Sequence, residues 1–239
     1  MTPTRRSCRR SRRRKHNERV WKDMKRAVLG AVIVLGSLMS LFLWTGTGCA
    51  EGPGLVLEDF KAKEVDGFPS AWEHENQRSQ SKGRDAYKVQ SENGANFLSA
   101  KDAGQRIKKK KIEWDPKAYP VLTWRWRLVK APTGTEPLAA IYASLDTDLL
   151  FIPVFTKYVW SATKADGTVT EGGMFSGSEI VVQSGTTALG QWFEERVNVY
   201  EDFKRIHRHE PAAKAWGISI IASSGVEIDV GPLTALPAK

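Results

Sequence analysis

Short runs of β-branched and aromatic residues, separated by turn residues, recur along most of this 239-residue chain. Strands of this length and spacing are typical of a sandwich or a barrel, and less so of alternating strands and helices. The sequence therefore predicts a mainly β fold. The ten runs are LVLEDF (55–60), DAYKVQ (85–90), ANFLSA (95–100), QRIKKKKIEW (105–114), YPVLTWRWRLV (119–129), LAAIYASL (138–145), TKYVWSAT (156–163), SEIVVQS (178–184), AWGISIIAS (215–223) and VEIDVGPL (226–233).

Turn and helix signals refine this prediction. Asn93-Gly94 and Asp166-Gly167 are turn dipeptides, and the second, between polar strands, predicts a β-hairpin. Apolar residues recur at helical spacing across residues 199–208, with charged residues between them. This spacing predicts one short amphipathic helix that lies on the sheet.

An uncharged apolar run of eighteen residues, 27–44, follows a basic prefix. It is long enough to span a membrane and also suits an export signal. Three interpretations stay open: cleavage before Cys49 with a lipid on its thiol, an uncleaved membrane helix, or ordinary cleavage near Ala50. Gly46 stands where a lipid-attachment signal usually has leucine. All three place the chain from about residue 51 onward in the cell envelope, on the extracytoplasmic (periplasmic) side.

The positive charge of the chain is confined to its beginning. Residues 1–26 contain twelve Lys and Arg against two acidic residues, whereas the remainder contains 24 and 25. The formal net charge of +9 therefore gives no reason to expect nucleic-acid binding. We expect a basic stub at 1–26, of which the part before Met24 is read-through or cytoplasmic, a signal or anchor at 27–50, and a single β-domain at 51–239.

Both cysteines, Cys8 and Cys49, lie in this N-terminal leader. The remaining chain therefore has no pair to form a disulfide, no thiol nucleophile and no cysteine metal site. Cys49 has one expected use, as the point of lipid attachment.

Residue patterns typical of catalysis are weak. Ser184, His207 and Asp229 could be grouped as a triad, but no GxSxG motif surrounds the serine. Glu194 and Glu195 are adjacent, so on a strand they point to opposite faces and cannot flank one glycosidic bond. We predict no catalytic residue, no metal and no cofactor.

The run at 119–129 has the strongest strand pattern. Alternation separates an apolar face from a polar one: Leu122, Trp124, Trp126 and Leu128 against Thr123, Arg125 and Arg127. The tryptophans either fill a core between two sheets or stack on sugar rings. The arginines form either a solvated, salt-bridged face or a concave floor that binds carboxylate, phosphate or sugar hydroxyls.

Four segments resemble, in order and spacing, the bacterial domain of unknown function 3047 family: WDPKAYPVLTWRWRL (114–128), TKYVWS (156–161), VVQSGTTALGQWFEERVNVYEDFKRIHRHEP (181–211) and WGISI (216–220). The resemblance covers roughly residues 55–236. It implies an exported or lipid-anchored protein with a jelly-roll-like β-sandwich and no established activity.

Tyr158, Trp160 and Arg196 are among the positions that keep the family pattern. Tyr158 and Trp160 share one strand face, where a core position is favoured although their polar tips leave room for a groove. Two acidic segments typical of the family are replaced here, by Glu136–Ala139 and by Ala222–Gly225. If those groups hold a metal or ligand in relatives, this chain has lost that site.

The main functional hypothesis is non-catalytic binding of a carbohydrate or envelope polymer by a membrane-anchored β-sandwich. Its alternatives are an envelope hydrolase of unassigned type and a structural envelope lipoprotein that binds other proteins. The expected partners are the membrane, through the N-terminal segment, and the glycan or polymer. The candidate ligand-binding residues are Arg125, Arg127, Tyr158, Trp160 and Arg196.

Overall fold

The computed structural model describes residues 53–74, 80–110, 112–147, 152–172 and 177–238. One compact unit spans Ala50–Lys239. Its described residues form two β-sheets of seven strands each and two short helices. The prediction of a mainly β, jelly-roll-like sandwich is confirmed.

The described elements follow one another along the chain as fourteen strands and two helices. They are β1 (Leu55–Glu58), β2 (Glu73–His74), α1 (Gln80–Ala86), β3 (Tyr87–Glu92), β4 (Ala95–Lys101), β5 (Arg106–Lys110), β6 (Val121–Lys130), β7 (Ala139–Thr147), β8 (Pro153–Ser161), β9 (Val169–Thr170), β10 (Ser178–Ser184), β11 (Phe193–Asn198), α2 (Val199–His207), β12 (Gly217–Ala222), β13 (Glu227–Val230) and β14 (Leu233–Leu236).

The first sheet has the order β1-β14-β6-β13-β4-β3, and β11 pairs with the other side of β6. The second sheet has the order β2-β5-β12-β7-β8-β10-β9. Among the described strands, neighbours are antiparallel except β8 and β10, which are parallel. The long strand β6 therefore pairs with β11 along one edge. Along its other edge, it pairs with β14 in its first half and with β13 in its second half.

The two turn dipeptides behave differently. Asn93-Gly94 joins β3 to β4 as a two-residue hairpin loop, with φ angles of 52° and 78°. Asp166-Gly167 also forms a turn, but the predicted hairpin is wrong because β9 pairs with β10 instead of β8. The physical reason is that β8 already lies between β7 and β10 and has no free edge for β9.

Aromatic side chains from both sheets meet in the core. Trp124 and Trp126 project inward from β6, and Trp160 projects inward from β8, with 3%, 0% and 1% of their surfaces exposed. The rings of Trp126 and Trp160 lie 5.4 Å apart across the two sheets. Burial of such large apolar surfaces is a main source of stability. The interpretation of Trp124 and Trp126 as core residues is confirmed.

Helix α2 begins directly after β11 and matches the predicted helix. The Asn198 side chain accepts the Glu201 N–H at 3.0 Å as an N-cap, and Arg208 ends the helix with φ of 65°. Phe203 on its inner face is fully buried. The Tyr158 hydroxyl donates to Asp202 at 3.2 Å, which fastens the helix to β8.

Candidate functional site

The outer face of the first sheet carries the polar residues of β6. Arg125 and Arg127 alternate with the buried tryptophans and therefore point away from the core. Their cross-strand partners are Glu194 on β11 for Arg125 and Asp229 on β13 for Arg127. Charged groups of both signs are thus brought together on one face by strands distant in sequence.

Arg127 is held in an ion-pair network. Its Nε donates to Asp229 Oδ2 at 2.8 Å, and its Nη1 donates to Glu92 Oε2 at 2.8 Å. Asp229 is 7% exposed, so this pair is largely removed from water. Paired on two sides, Arg127 serves to join β3, β6 and β13.

Trp192 lies over both arginines. Its ring centroid is 4.5 Å from Arg125 Cζ and 4.7 Å from Arg127 Cζ, distances typical of cation–π contacts. The ring also meets Phe97 edge to face at 5.8 Å, and Phe97 is 3% exposed although it points away from the core. The Gly190 N–H donates to Leu128 O at 2.8 Å and brings this loop onto β6.

An open cavity of about 490 Å³ lies next to Arg125. A volume of this size is in the range of small-molecule sites. The surface combines guanidinium groups, carboxylates, a hydroxyl and a proline ring, so it offers both donors and acceptors. The lining residues are Thr123, Trp124, Arg125, Glu194, Glu195, Arg196 and Pro232.

Glu194 and Glu195 point to opposite sides of β11, as strand alternation predicts. Glu194 is exposed on the outer face, whereas Glu195 accepts a hydrogen bond from the indole N–H of Trp126 at 3.0 Å. Partial burial raises the pKa of Glu195 to about 7, against the lowering effect of this hydrogen bond, and the charge of Asp166 adds to the rise. The two carboxylates do not face each other, so they do not form the pair that a glycosidase uses.

We expect stability to depend on pH through Glu195. The folded chain keeps this proton up to about pH 7, whereas the unfolded chain loses it near the ordinary value of 4.5, so stability falls as pH rises between these values. Because Glu195 is only half-buried, the free energy of unfolding should fall by about 1–2 kcal/mol over this pH range.

Glu195→Gln retains an acceptor for Trp126 and removes the charge. Thermal unfolding should show a Tm higher by ~3–6 °C at about pH 8 and unchanged at about pH 4. Glu194→Gln is the matched control, and its Tm should change little at either pH. An equal rise in Tm at both pH values for Glu195→Gln would contradict a raised pKa of Glu195.

Three of the five predicted ligand-binding residues lie near one another on the outer face. Arg125 and Arg196 line the cavity, and Arg127 lies beside them under Trp192. Tyr158 and Trp160 do not join them, because they are 0% and 1% exposed between the sheets. The prediction that Tyr158 and Trp160 contact a ligand in a surface groove is therefore wrong.

The polar tips of Tyr158 and Trp160 are satisfied inside the protein. The hydroxyl of Tyr158 bonds Asp202 and the indole N–H of Trp160 donates to Gly185 O at 2.8 Å. Burial and the nearby Asp202 charge raise the pKa of Tyr158 well above its ordinary value. These tips fasten α2 and the loop after β10, so they are not available to a ligand.

The sequence-based site omits Trp192 and five residues of the cavity wall: Thr123, Trp124, Glu194, Glu195 and Pro232. Trp192 keeps the family pattern, but it stands in a loop, where alternation assigns no face. Glu195 looks like an ordinary charged strand residue, and only its contact with Trp126 distinguishes it. The Ser184, His207 and Asp229 grouping does not converge: the serine donates to Lys164 O, the histidine packs on Phe203 at 4.3 Å, and the aspartate pairs with Arg127.

Within the described ranges, no group of three or more His, Cys, Asp or Glu side chains is arranged to hold a metal ion. No helix in the described part of the chain is both long and apolar enough to cross a membrane. The predicted signal or anchor at 27–50, with Cys49, lies outside the described residues.

Comparison with known families supports the resemblance seen in the sequence. The family model described as a protein of unknown function (DUF3047) matches residues 154–226. This segment begins in β8 and ends just before β13, and it includes Trp192, Glu195 and Arg196. Comparison with curated proteins finds no match.

Solved structures that resemble this protein include carbohydrate-binding modules and the Trichoderma harzianum endoglucanase 3 from family GH12. A non-crystalline-cellulose-specific carbohydrate-binding module, CBM28, is 15% identical with a TM-score of 0.44, covering 79% of this chain and 96% of its own. A family 11 carbohydrate-binding module from a cellulosomal cellulase of Clostridium thermocellum is 9% identical with a TM-score of 0.42, covering 78% and 95%.

Proposed function

We propose that this protein binds a carbohydrate or envelope polymer without acting on it chemically. The binding surface is the outer face of the first sheet, around the open cavity that Arg125 and Arg196 line. The observation that carries the proposal is this cavity with Arg125 in its wall, where the Arg125 guanidinium is restrained by the ring of Trp192, 4.5 Å away.

The chemistry of this surface suits a sugar. Sugars present hydroxyl groups that both donate and accept, and protein sites meet them with a few placed polar groups beside an apolar or aromatic surface. The guanidinium groups donate, Glu194 accepts, and Thr123 does both. Trp124 and Pro232 supply apolar surface in the cavity wall, and Trp192 lies against the Arg125 guanidinium.

We further propose that the binding domain acts in the cell envelope, attached to the membrane by a lipid on Cys49 or by an uncleaved helix at 27–44. The support is the order of a basic prefix, an apolar run and a small-residue exit in the sequence. The mass of the mature N-terminal peptide separates the two anchors. A mature chain that begins near residue 51 with no lipid would overturn both.

Trp192→Ala should weaken polysaccharide binding by at least tenfold, about 1.4 kcal/mol of binding free energy. The reason is that Trp192 restrains the guanidinium of Arg125, which lines the cavity. Glycan-array screening followed by isothermal titration with the best polysaccharide measures this effect.

Trp216→Ala is the matched control. Trp216 is also a part-exposed tryptophan with a cation over its ring, Lys110 at 5.4 Å, but it precedes β12 of the second sheet. Its removal should leave binding unchanged. Binding of no polysaccharide by the intact protein, with only proteins recovered by crosslinking in cells, would favour the structural alternative instead.

A further inference from the structure

The two neighbouring arginines of β6 differ in how their charges are balanced. Arg127 has two carboxylates at 2.8 Å, Asp229 and Glu92. Arg125 has no carboxylate of the described residues within salt-bridge distance, and its cross-strand partner Glu194 does not reach it. The positive charge of Arg125 therefore remains available to an anion from outside.

The side chain of Arg125 is also held in place. Its guanidinium lies over Trp192, and its stem passes so close to Gly231 that a Cβ there would come within 2.7 Å of Arg125 Cγ. The Gly231 N–H donates to Arg125 O at 2.8 Å and fixes the backbone below. A donor group restrained before binding loses less conformational entropy when the ligand arrives.

The cavity beside Arg125 has room for more than a small ion. Arg196 and Thr123 lie on its wall, and Pro232, directly after Gly231, closes another side. A sugar ring fits the apolar and hydroxyl-bearing parts of this wall, and a group with negative charge fits the guanidinium fork. Guanidinium and carboxylate match in shape and form two parallel hydrogen bonds.

We propose that Arg125 binds the carboxylate of an acidic sugar in this cavity, so that the polymer recognised is a uronic-acid polysaccharide. This inference rests on the proposed function and names its ligand class. Arg125 provides the charge recognition, and the remaining wall contacts the ring and its hydroxyls.

The test compares polygalacturonate with its fully methyl-esterified form, which has the same backbone without the charges. Isothermal titration of the full chain in detergent, at about 50 mM and about 500 mM salt, should give binding of polygalacturonate that weakens with salt. The methyl ester should bind at least tenfold more weakly.

Arg125→Gln should remove the difference between the two polymers, and Arg125→Lys should restore only part of it, because an ammonium lacks the planar fork. Lys110→Gln is the matched control, since it removes a cation that lies over a tryptophan at the second sheet. Its preference for polygalacturonate should equal that of the unaltered protein.

Equal binding of both polymers that depends on Trp192 but not on Arg125 would overturn the acidic-sugar inference and leave the proposed function standing. Displacement of polygalacturonate by inorganic phosphate as readily as by galacturonate would overturn it in favour of a phosphate ligand. Loss of the preference in Lys110→Gln would also overturn it, because the site would then lie on the other sheet. Failure of every polysaccharide to bind would remove the proposed function itself.

Discussion

Trp160→Ala should lower the free energy of unfolding by about 3–5 kcal/mol, the usual cost of deleting a buried tryptophan. Trp160 is 1% exposed and lies 5.4 Å from Trp126 and 5.5 Å from Phe193, ring centroid to centroid. Its removal leaves a cavity at the contact between the two sheets. It also leaves Gly185 O without the indole donor that now lies at 2.8 Å.

Urea denaturation followed by circular dichroism measures this loss. Trp160→Phe keeps most of the ring and should cost less, because only the Gly185 hydrogen bond and part of the volume are removed. Trp192→Ala, at the part-exposed tryptophan, should cost no more than about 1 kcal/mol. A loss below about 1 kcal/mol for Trp160→Ala would mean that its side chain is not in the core.

The contrast between Trp160 and Trp192 separates stability from binding. Trp160→Ala should reduce binding only through the fraction of unfolded protein, whereas Trp192→Ala should reduce binding in a folded protein. The same experiment therefore tests the correction of the predicted site, in which Trp160 was a candidate ligand residue.

Glu58→Ala should lower the free energy of unfolding by about 3–4 kcal/mol, because it leaves two buried donors without their acceptor and removes the ion-pair partner of the part-buried Lys109. Glu58 is 6% exposed at the end of β1. It accepts from Phe60 N at 2.6 Å, from Trp72 Nε1 at 2.7 Å and from Lys109 Nζ at 2.9 Å. One carboxylate thus joins β1 of the first sheet, the 59–72 segment and β5 of the second.

Glu73→Ala is the matched control for this carboxylate. Glu73 also pairs with a lysine of β5, Lys110, but it is 58% exposed, so its removal should cost less than about 1 kcal/mol. Denaturant midpoints of the two variants give the comparison directly. Equal losses for Glu58→Ala and Glu73→Ala would contradict the assignment of Glu58 as a buried anchor.

Adding Lys109→Met to Glu58→Ala should recover part of the lost stability. Lys109 is 22% exposed and loses its ion pair when Glu58 is absent. The double variant removes the uncompensated charge but still leaves the Phe60 and Trp72 donors unpaired. A double variant no more stable than Glu58→Ala would show that the charge contributes little.

Local patterns predicted most of the fold because they depend on neighbours in sequence. Alternation in β6 assigned the correct face to every tryptophan and arginine, and Asn93-Gly94 formed the expected hairpin loop. The run VEIDVGPL was predicted as one strand but forms β13 and the start of β14. The break lies at Gly231-Pro232, where proline has no N–H to donate to a neighbouring strand.

Strand β11 is absent from the ten predicted runs because its sequence, FEERVN, is mostly polar, although the opposite facing of Glu194 and Glu195 already assumes a strand there. It pairs with β6 alone among the described strands, so its outward side chains need no apolar character. The same strand supplies Glu194, Glu195 and Arg196 to the cavity. A mostly polar strand therefore completes the candidate site.

The sequence alone was sufficient for the class of fold, the inward direction of Trp124 and Trp126 and the placement of Arg125 and Arg127 on an outer face, because alternation and turn chemistry are local properties. Tertiary structure decided that Arg127 is paired and that Arg125 is available. The two carboxylates that pair with Arg127 are 35 and 102 residues away in sequence, and the ring over Arg125 belongs to the loop residue Trp192. Burial of Tyr158 and Trp160 was likewise decided by the packing of one sheet on the other, which no single strand pattern specifies.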